Sequence, residues 1–319
     1  MRATTIAAAL AAGVAAGPAP AQDYPTRPVR VIVPYAPGGG SDILARFVAP
    51  KAAEELGQQF VIDNRPGAAS TLGSNLIARA TPDGYTIGMI DTALSINPGL
   101  FAKLPYDAVR DFAPITLVAA SPLLFAVHPS VPAGNVKELV ALAKAKPGQL
   151  NFSSAGNGSA GHLAGEVFRS VAAIDIIHVP YKGAGPQVID LVGGQSMMGF
   201  TTPASAMPHV KAGKLRAFGI TGTKRSGAIP GVPVMGETGY PVEVTPYWGL
   251  VAPAGVPPAI IRRLNAAFAR HIRAPEFRDR LIELAFDPVG NTPEEFAAVI
   301  RDDMARYVKV IKTAGIKVE

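Results

Sequence analysis

Short apolar runs rich in β-branched residues alternate with amphipathic segments along almost the whole chain, and this alternation restricts the folds open to it. VRVIVPY (29–35), QFVIDN (59–64), YTIGMI (85–90), ITLVAA (115–120), LLFAVHP (123–129) and IIHVPY (176–181) have strand length and composition. SDILARFVAPKAAEEL (41–56) and NVKELVALAKAK (135–146) repeat apolar residues at helical spacing. Strand–helix alternation predicts an α/β architecture with mostly parallel sheets. Ser41 or Asp42 is placed to cap the first helix, Asn135 the one starting near Val136, and Thr292 with Pro293 the one that begins PEEFAAVIRDDMARYVKVI. Helical patterns dominate from Pro257 onwards.

The first 21 residues follow another logic. Arg2, an alanine-rich run from Ala3 to Gly17 and the small-residue box Ala19-Pro20-Ala21 read as a secretory signal peptide cleaved after Ala21. The run is shorter than the roughly 20 apolar residues that a membrane span needs, so an exported chain with no stable membrane insertion is expected. With no cysteine the chain has no disulfide, thiolate metal site or cysteine nucleophile, and no thiol for a lipid anchor. About 300 residues remain, a length that suggests two domains. Hydrophobic residues at 48% and charged residues at 17% describe an ordered globular protein. Loss of Arg2 leaves 29 basic against 24 acidic residues, a net charge of +5, which favours anionic partners. The basic residues are scattered and lack interleaved aromatics, so nucleic acid is excluded in favour of small organic anions.

Two glycine-rich cassettes, one in each half, each join a strand to a helix: APGGGSD (36–42) and SSAGNGSAGHLAGEVF (153–168). A third loop, Tyr181-Lys182-Gly183, enters another helix. A helix N-terminus offers unpaired N–H groups and the positive end of the helix dipole, and glycine lets an anion approach them. Gly38, Gly39, Gly40, Ser41 and Asp42 therefore read as an anion-binding turn. A dinucleotide fingerprint fails because Ile43 stands where the third glycine belongs, and a phosphate loop fails for want of a lysine. In open α/β sheets ligands sit at the carboxyl ends of the strands, so two such rims suggest a cleft between two domains.

Ser159 and His162 are three residues apart and share a helix face, as a nucleophile and its base could. No G-x-S-x-G elbow surrounds the serine and no orienting acid accompanies the histidine, so satisfied polar groups at a helix start are the plainer reading. His128, His178, His209 and His271 have no metal-ligand spacing, and neither a metal nor a cofactor is expected. Lys182 is either a carboxylate partner or a solvated loop lysine. Tyr35 and Tyr181 end strands at a rim, where a ring can wall a pocket or join the core. Trp248 reads as core or inter-domain packing.

Collinear motifs extend over essentially all of the chain after the leader. YPTRPVRVIVPYAPGGGSDILAR, VIDNRPGAASTLGSNLIARATPDGYTI, SINPGLFAKLPYDAVRDFAPITLVA, AKAKPGQLNFSSAGNGSAGHLAGE, VPYKGAGPQVIDLVGGQ and KAGKLRAFGITGTKRSGAIPGVPVMGETGY resemble the Bug-type extracytoplasmic receptors of tripartite tricarboxylate transporters. The resemblance implies a type II, flytrap periplasmic-binding-protein fold that is not an enzyme. It implies a monomer that closes on a small carboxylate and presents it to membrane transporter subunits. It implies that backbone N–H groups, partly through water, grip the carboxylate. The matching positions are Tyr35 and Gly38 to Asp42, then Ala68 and Thr92, in one domain. In the other they are Ser154, Gly156, Asn157, Gly158, Ser159, His162, Tyr181, Lys182 and Gly183.

One departure stands out: SMMGFTTPAS (196–205) has Thr201 where the family usually has Asp. Its loss argues against an amino-acid ligand and for a simpler or aromatic acid, with Thr201 and Thr202 reading the ligand's distal end. Segments near ITLVAASPLLFAV and VTPYWGLVAP are expected to cross between domains. Domain 1 is then 22–120 with 246–319 and domain 2 is 121–245. A secreted hydrolase using Ser159 and His162, and a sensor serving a membrane kinase, are the alternative functions.

Overall fold

A computed structural model describes residues 24–68 and 70–316; the expected signal peptide, residues 1–21, lies outside the described residues. The chain begins with β1 (Val29–Val33), α1 (Gly40–Leu56), β2 (Phe60–Asn64), α2 (Thr71–Ala78), β3 (Thr86–Asp91), α3 (Ala93–Leu100) and β4 (Phe112–Ala120). It continues through β5 (Leu124–Val127), α4 (Val136–Ala145), β6 (Asn151–Ser154), α5 (Ala160–Ala172), β7 (Ile177–Pro180), α6 (Ala184–Val192), β8 (Met198–Thr201), α7 (Pro203–Lys211) and β9 (Arg216–Ile220). It then returns as β10 (Tyr247–Pro253), α8 (Pro258–Arg273), α9 (Pro275–Glu283), β11 (Asp287–Pro288) and α10 (Pro293–Ala314).

Two sheets result, in the orders β11-β4-β10-β3-β1-β2 and β7-β6-β8-β5-β9. Each anchors one lobe. Both are mixed, which corrects the expectation of mostly parallel sheets. The strand–helix–strand units supply the parallel pairs β1·β2, β1·β3, β6·β7 and β6·β8. The antiparallel pairs involve the strands that flank the two crossings: β10 pairs with β3 and β4, and β5 with β8 and β9. No crossover helix dictates the direction of a strand that arrives from the other lobe.

Every strand of the first sheet's centre is buried on both faces. One face packs on α1 and α8 through Leu44, Val48, Leu264 and Phe268, the other on Ile77, Leu94, Phe296 and Ile300. In the second lobe Phe125 stacks on Phe200 with ring centroids 4.5 Å apart, and Phe168 packs against both. The last helix links the two cores. Phe296 and Ile300 of α10 belong to the first lobe's core, whereas Tyr307 and Ile311 belong to the second's.

Helix punctuation partly follows the sequence. Asn135 caps α4 by accepting from the Glu138 N–H, and Thr292 forms a capping box with Glu295 ahead of Pro293. Helix α1, by contrast, has Gly39 as its N-cap and no side-chain cap, and Ser41 and Asp42 lie inside its first turn. Asp42 instead accepts from the Gly38 N–H at 3.0 Å, from Arg46 at 2.9 Å and from Asn64 at 3.0 Å. Burial pushes its carboxyl up, but these hydrogen bonds prevail and hold it below the usual carboxylate range. Asp42 thus braces the glycine turn from behind.

Candidate functional site

The glycine turn after β1 reaches across to the second lobe. The Ala36 N–H donates to the Lys182 carbonyl at 2.9 Å, and Ser205 Oγ donates to the Gly38 carbonyl at 2.9 Å. A Cβ on Gly185 would overlap the Pro37 carbonyl oxygen, so only glycine lets the two backbones approach this closely. The cleft is closed.

Behind that contact lies a cavity between the two lobes. Four helix starts surround it. Gly39, Gly40 and Ser41 come from α1, Ser159, Ala160 and Gly161 from α5, Ala184 from α6, and Thr202, the N-cap of α7, completes the ring. The first hydrogen bond of α1 runs from the Ile43 N–H to the Gly39 carbonyl. That of α5 runs from the Leu163 N–H to the Ser159 carbonyl, while the His162 N–H bonds to Ser159 Oγ. The N–H groups of Gly40, Ser41, Ala160 and Gly161 are the first-turn donors that the helices leave over. A Cβ at Gly40 would lie 2.8 Å from the Trp248 ring, and one at Gly161 would lie 2.5 Å from the Phe200 carbonyl oxygen. Among the described residues no Lys, Arg or His lines the cavity, and no cluster could hold a metal ion.

The residues singled out in the sequence divide into three groups. Tyr35, Gly39, Gly40, Ser41, Ser159, Thr201 and Thr202 line the inner cavity. Ala68, Gly156, Asn157, Tyr181 and Lys182 line a second, outer hollow that shares Tyr35 and Ala155 with the first. The remainder support the loops. Gly38 bonds Asp42, Gly183 caps α6 at φ 145° and packs against Ala36, and Ser154 Oγ bonds His178 Nε2 at 2.7 Å. Thr92 is spent on the returning strand, since its Oγ1 accepts from the Tyr247 N–H at 2.7 Å. The Gly158 N–H, expected to face the ligand, donates to His162 Nδ1 at 3.2 Å, and the free donors stand two and three residues further on.

Ser159 and His162 do not form a nucleophile–base pair. The serine oxygen caps α5, the imidazole Nδ1 is occupied by the Gly158 N–H, and the ring stacks on His178 with centroids 4.3 Å apart. Burial, followed by Arg169, pushes His162 down to about 4, and burial, His162 and Arg169 push His178 down to about 3. Both rings are neutral above these values.

Sequence reasoning missed Asp91, Gln187 and Phe200, and it gave Trp248 only a packing role. Trp248 does pack, edge-on to Phe286 at 5.3 Å, but it also lines the cavity. Gln187 Nε2 donates to the carbonyls of Ser153 and Phe200, while its Oε1, like Thr201 Oγ1, is buried without a partner among the described residues. Asp91 ends β3 beside Thr92; its Oδ1 accepts from the Tyr35 hydroxyl and from the Ala93 N–H, each at 3.1 Å. Burial pushes this carboxyl up to about 6. A carboxylate therefore does line the cavity, supplied by the first lobe and not at position 201. Its position at a strand's carboxyl end was the available signal.

A closed cleft between two α/β lobes, joined by two chain crossings and ringed by helix N-termini, defines the periplasmic-binding-protein class. Within that class the chain matches the family described as "Tripartite tricarboxylate transporter family receptor" over residues 44–316, and it belongs to that family. Protein BugT of Bordetella pertussis (strain Tohama I / ATCC BAA-589 / NCTC 13251) is 35% identical over 313 residues, 97% of this chain and 95% of that protein. Among solved structures, Rpa4515 of R. palustris with adipate is similar at TM-score 0.90 and 33% identity, covering 92% of this chain and 99% of that one. MatC (Rpa3494) of Rhodopseudomonas palustris with bound malate is similar at TM-score 0.87 and 31% identity, covering 90% and 100%.

Two outcomes follow from this geometry. Gly185→Ala should leave the fold intact, since alanine suits a helix, yet block closure against Pro37. Calorimetric affinity for any ligand that fills the cavity should fall by about tenfold or more, which is about 1.4 kcal/mol, with circular dichroism confirming a folded variant. For Asp91, a raised folded-state value means that its contribution to stability is fully present below about pH 4 and lost as pH rises through about 6. Denaturant melts should show Asp91→Asn gaining on the wild type between pH 4 and pH 8, by roughly 2–3 kcal/mol. A gain independent of pH would contradict this.

Proposed function

We propose that the protein is a periplasmic receptor that captures a small organic carboxylate in the closed cleft and delivers it, as a monomer and without turnover, to a tripartite tricarboxylate-type membrane transporter. One observation carries the reading: helix N-termini from both lobes converge on one cavity that, among the described residues, no cationic side chain lines. Partial positive charge without a titratable cation suits a carboxylate held by N–H groups. We take residues 22–120 and 246–319 as one lobe and 121–245 as the other, hinged at the two crossings. The adipate and malate complexes of related proteins support the ligand class. Family membership supports the transporter as partner and the periplasm as location, and among the described residues no helix is long and apolar enough to cross a membrane.

A thermal-shift screen of mono-, di- and tricarboxylates and aromatic acids tests the reading. A ligand at 100 times its Kd adds about 2.7 kcal/mol, which corresponds to roughly 5–11 °C at the ~2–4 °C per kcal/mol of chains somewhat smaller than this one. The hit should emerge chemically unchanged after prolonged incubation. A screen with no shift from any carboxylate, or sustained turnover abolished by Ser159→Ala, would overturn the proposal.

A further inference from the structure

Two acceptor-bearing residues from opposite lobes stand in the cavity wall. Both hydrogen bonds that other residues donate to Asp91 fall on Oδ1, and its carboxylate stands in the cavity wall. On the opposite lobe, Gln187 Oε1 is buried and unpaired among the described residues although the amide nitrogen is fixed by two carbonyls, and those two carbonyls settle which end of the amide is oxygen. Gln187 is fully buried and Asp91 is 8% exposed, and both line the cavity.

A ligand made only of carboxylates on a hydrocarbon chain presents acceptors alone. It would satisfy the helix N–H groups and the Thr201 hydroxyl, but it would leave Gln187 Oε1 unpaired and bring a second negative charge near Asp91 with no cation in the wall. Unpaired buried acceptors and unpaired buried charges are costly. From these acceptors we infer that the ligand is a carboxylate that also carries a hydrogen-bond donor, a hydroxyl or an ammonium group, which is read by Asp91 from one lobe and Gln187 from the other. This rests on the reading of the cavity as a carboxylate site and narrows it. It also reverses the expectation drawn from Thr201, because the missing carboxylate is replaced from the facing lobe.

Calorimetry on the full chain with matched sets tests the inference. The probes are propanoate, 2-hydroxypropanoate and 2-aminopropanoate, then butanedioate with its 2-hydroxy and 2-amino derivatives, and the six-carbon diacid with the same pair. Within the chain length that binds most tightly, a donor-bearing member should bind at least about tenfold more tightly than the parent acid. Asp91→Asn separates the two sources of the donor. An ammonium preference should collapse when the charge is removed, whereas a hydroxyl preference should largely survive, because the amide oxygen still accepts. The wild-type arm needs no variant to be decisive. A parent acid that binds as tightly as both derivatives would overturn the inference and leave the receptor reading standing. Failure of every acid in every set to bind would overturn the receptor reading itself.

Discussion

The first turns of α1 and α5 leave the N–H groups of Gly40, Ser41, Ala160 and Gly161 without acceptors among the described residues, and the rest of the molecule is arranged around that deficit. Buried donors without partners are unfavourable, so a cavity ringed by them favours an anion. The glycines follow from the same requirement. Gly40 has no room for a Cβ against Trp248, and Gly161 none against the Phe200 carbonyl. Residues one step back hold the turns in place, Asp42 behind the first and the stacked His162–His178 pair behind the second.

Donors from two lobes are brought to one point by the connections between the lobes. Two crossings join the lobes between β4 and β5 and between β9 and β10, and they are tied together where the Ser121 N–H donates to the Pro246 carbonyl at 3.1 Å. Thr92 fastens the returning strand to the first sheet through Tyr247. Helix α10 adds a third link, entering the first core at Phe296 and the second at Tyr307. Neutral histidines beneath the second turn suit this design, because a charged imidazole at His162 would no longer accept from the Gly158 N–H.

Much of this was legible before any coordinates. Period-2 and period-3.6 patterns located the strands and helices, and the two glycine cassettes located the helix starts, because both signals are local. What escaped was tertiary. Asp91 is one aspartate among many until β3 is placed between β1 and β10. Gln187 is an ordinary helix residue until Ser153 and Phe200 fix its amide and leave Oε1 over. Gly158 and Thr92 stand among the positions that the resemblance implies, and each makes a hydrogen bond within the protein that the sequence alone does not show. The antiparallel strands had no local signature either, since their direction is set by a return from the other lobe.

The backbone amides themselves report whether an anion is held between the helix N-termini of the two lobes. In a ¹⁵N-labelled sample titrated with a ligand identified by the screen, the amide resonances of Gly40 and Ser41 in one lobe and of Ala160 and Gly161 in the other should shift together. They should saturate at one ligand per protein with a common Kd. If the amides of only one lobe move, or if those of Lys182 and its neighbours move while the helix-start amides stay still, the anion is not held between the helix N-termini of two lobes.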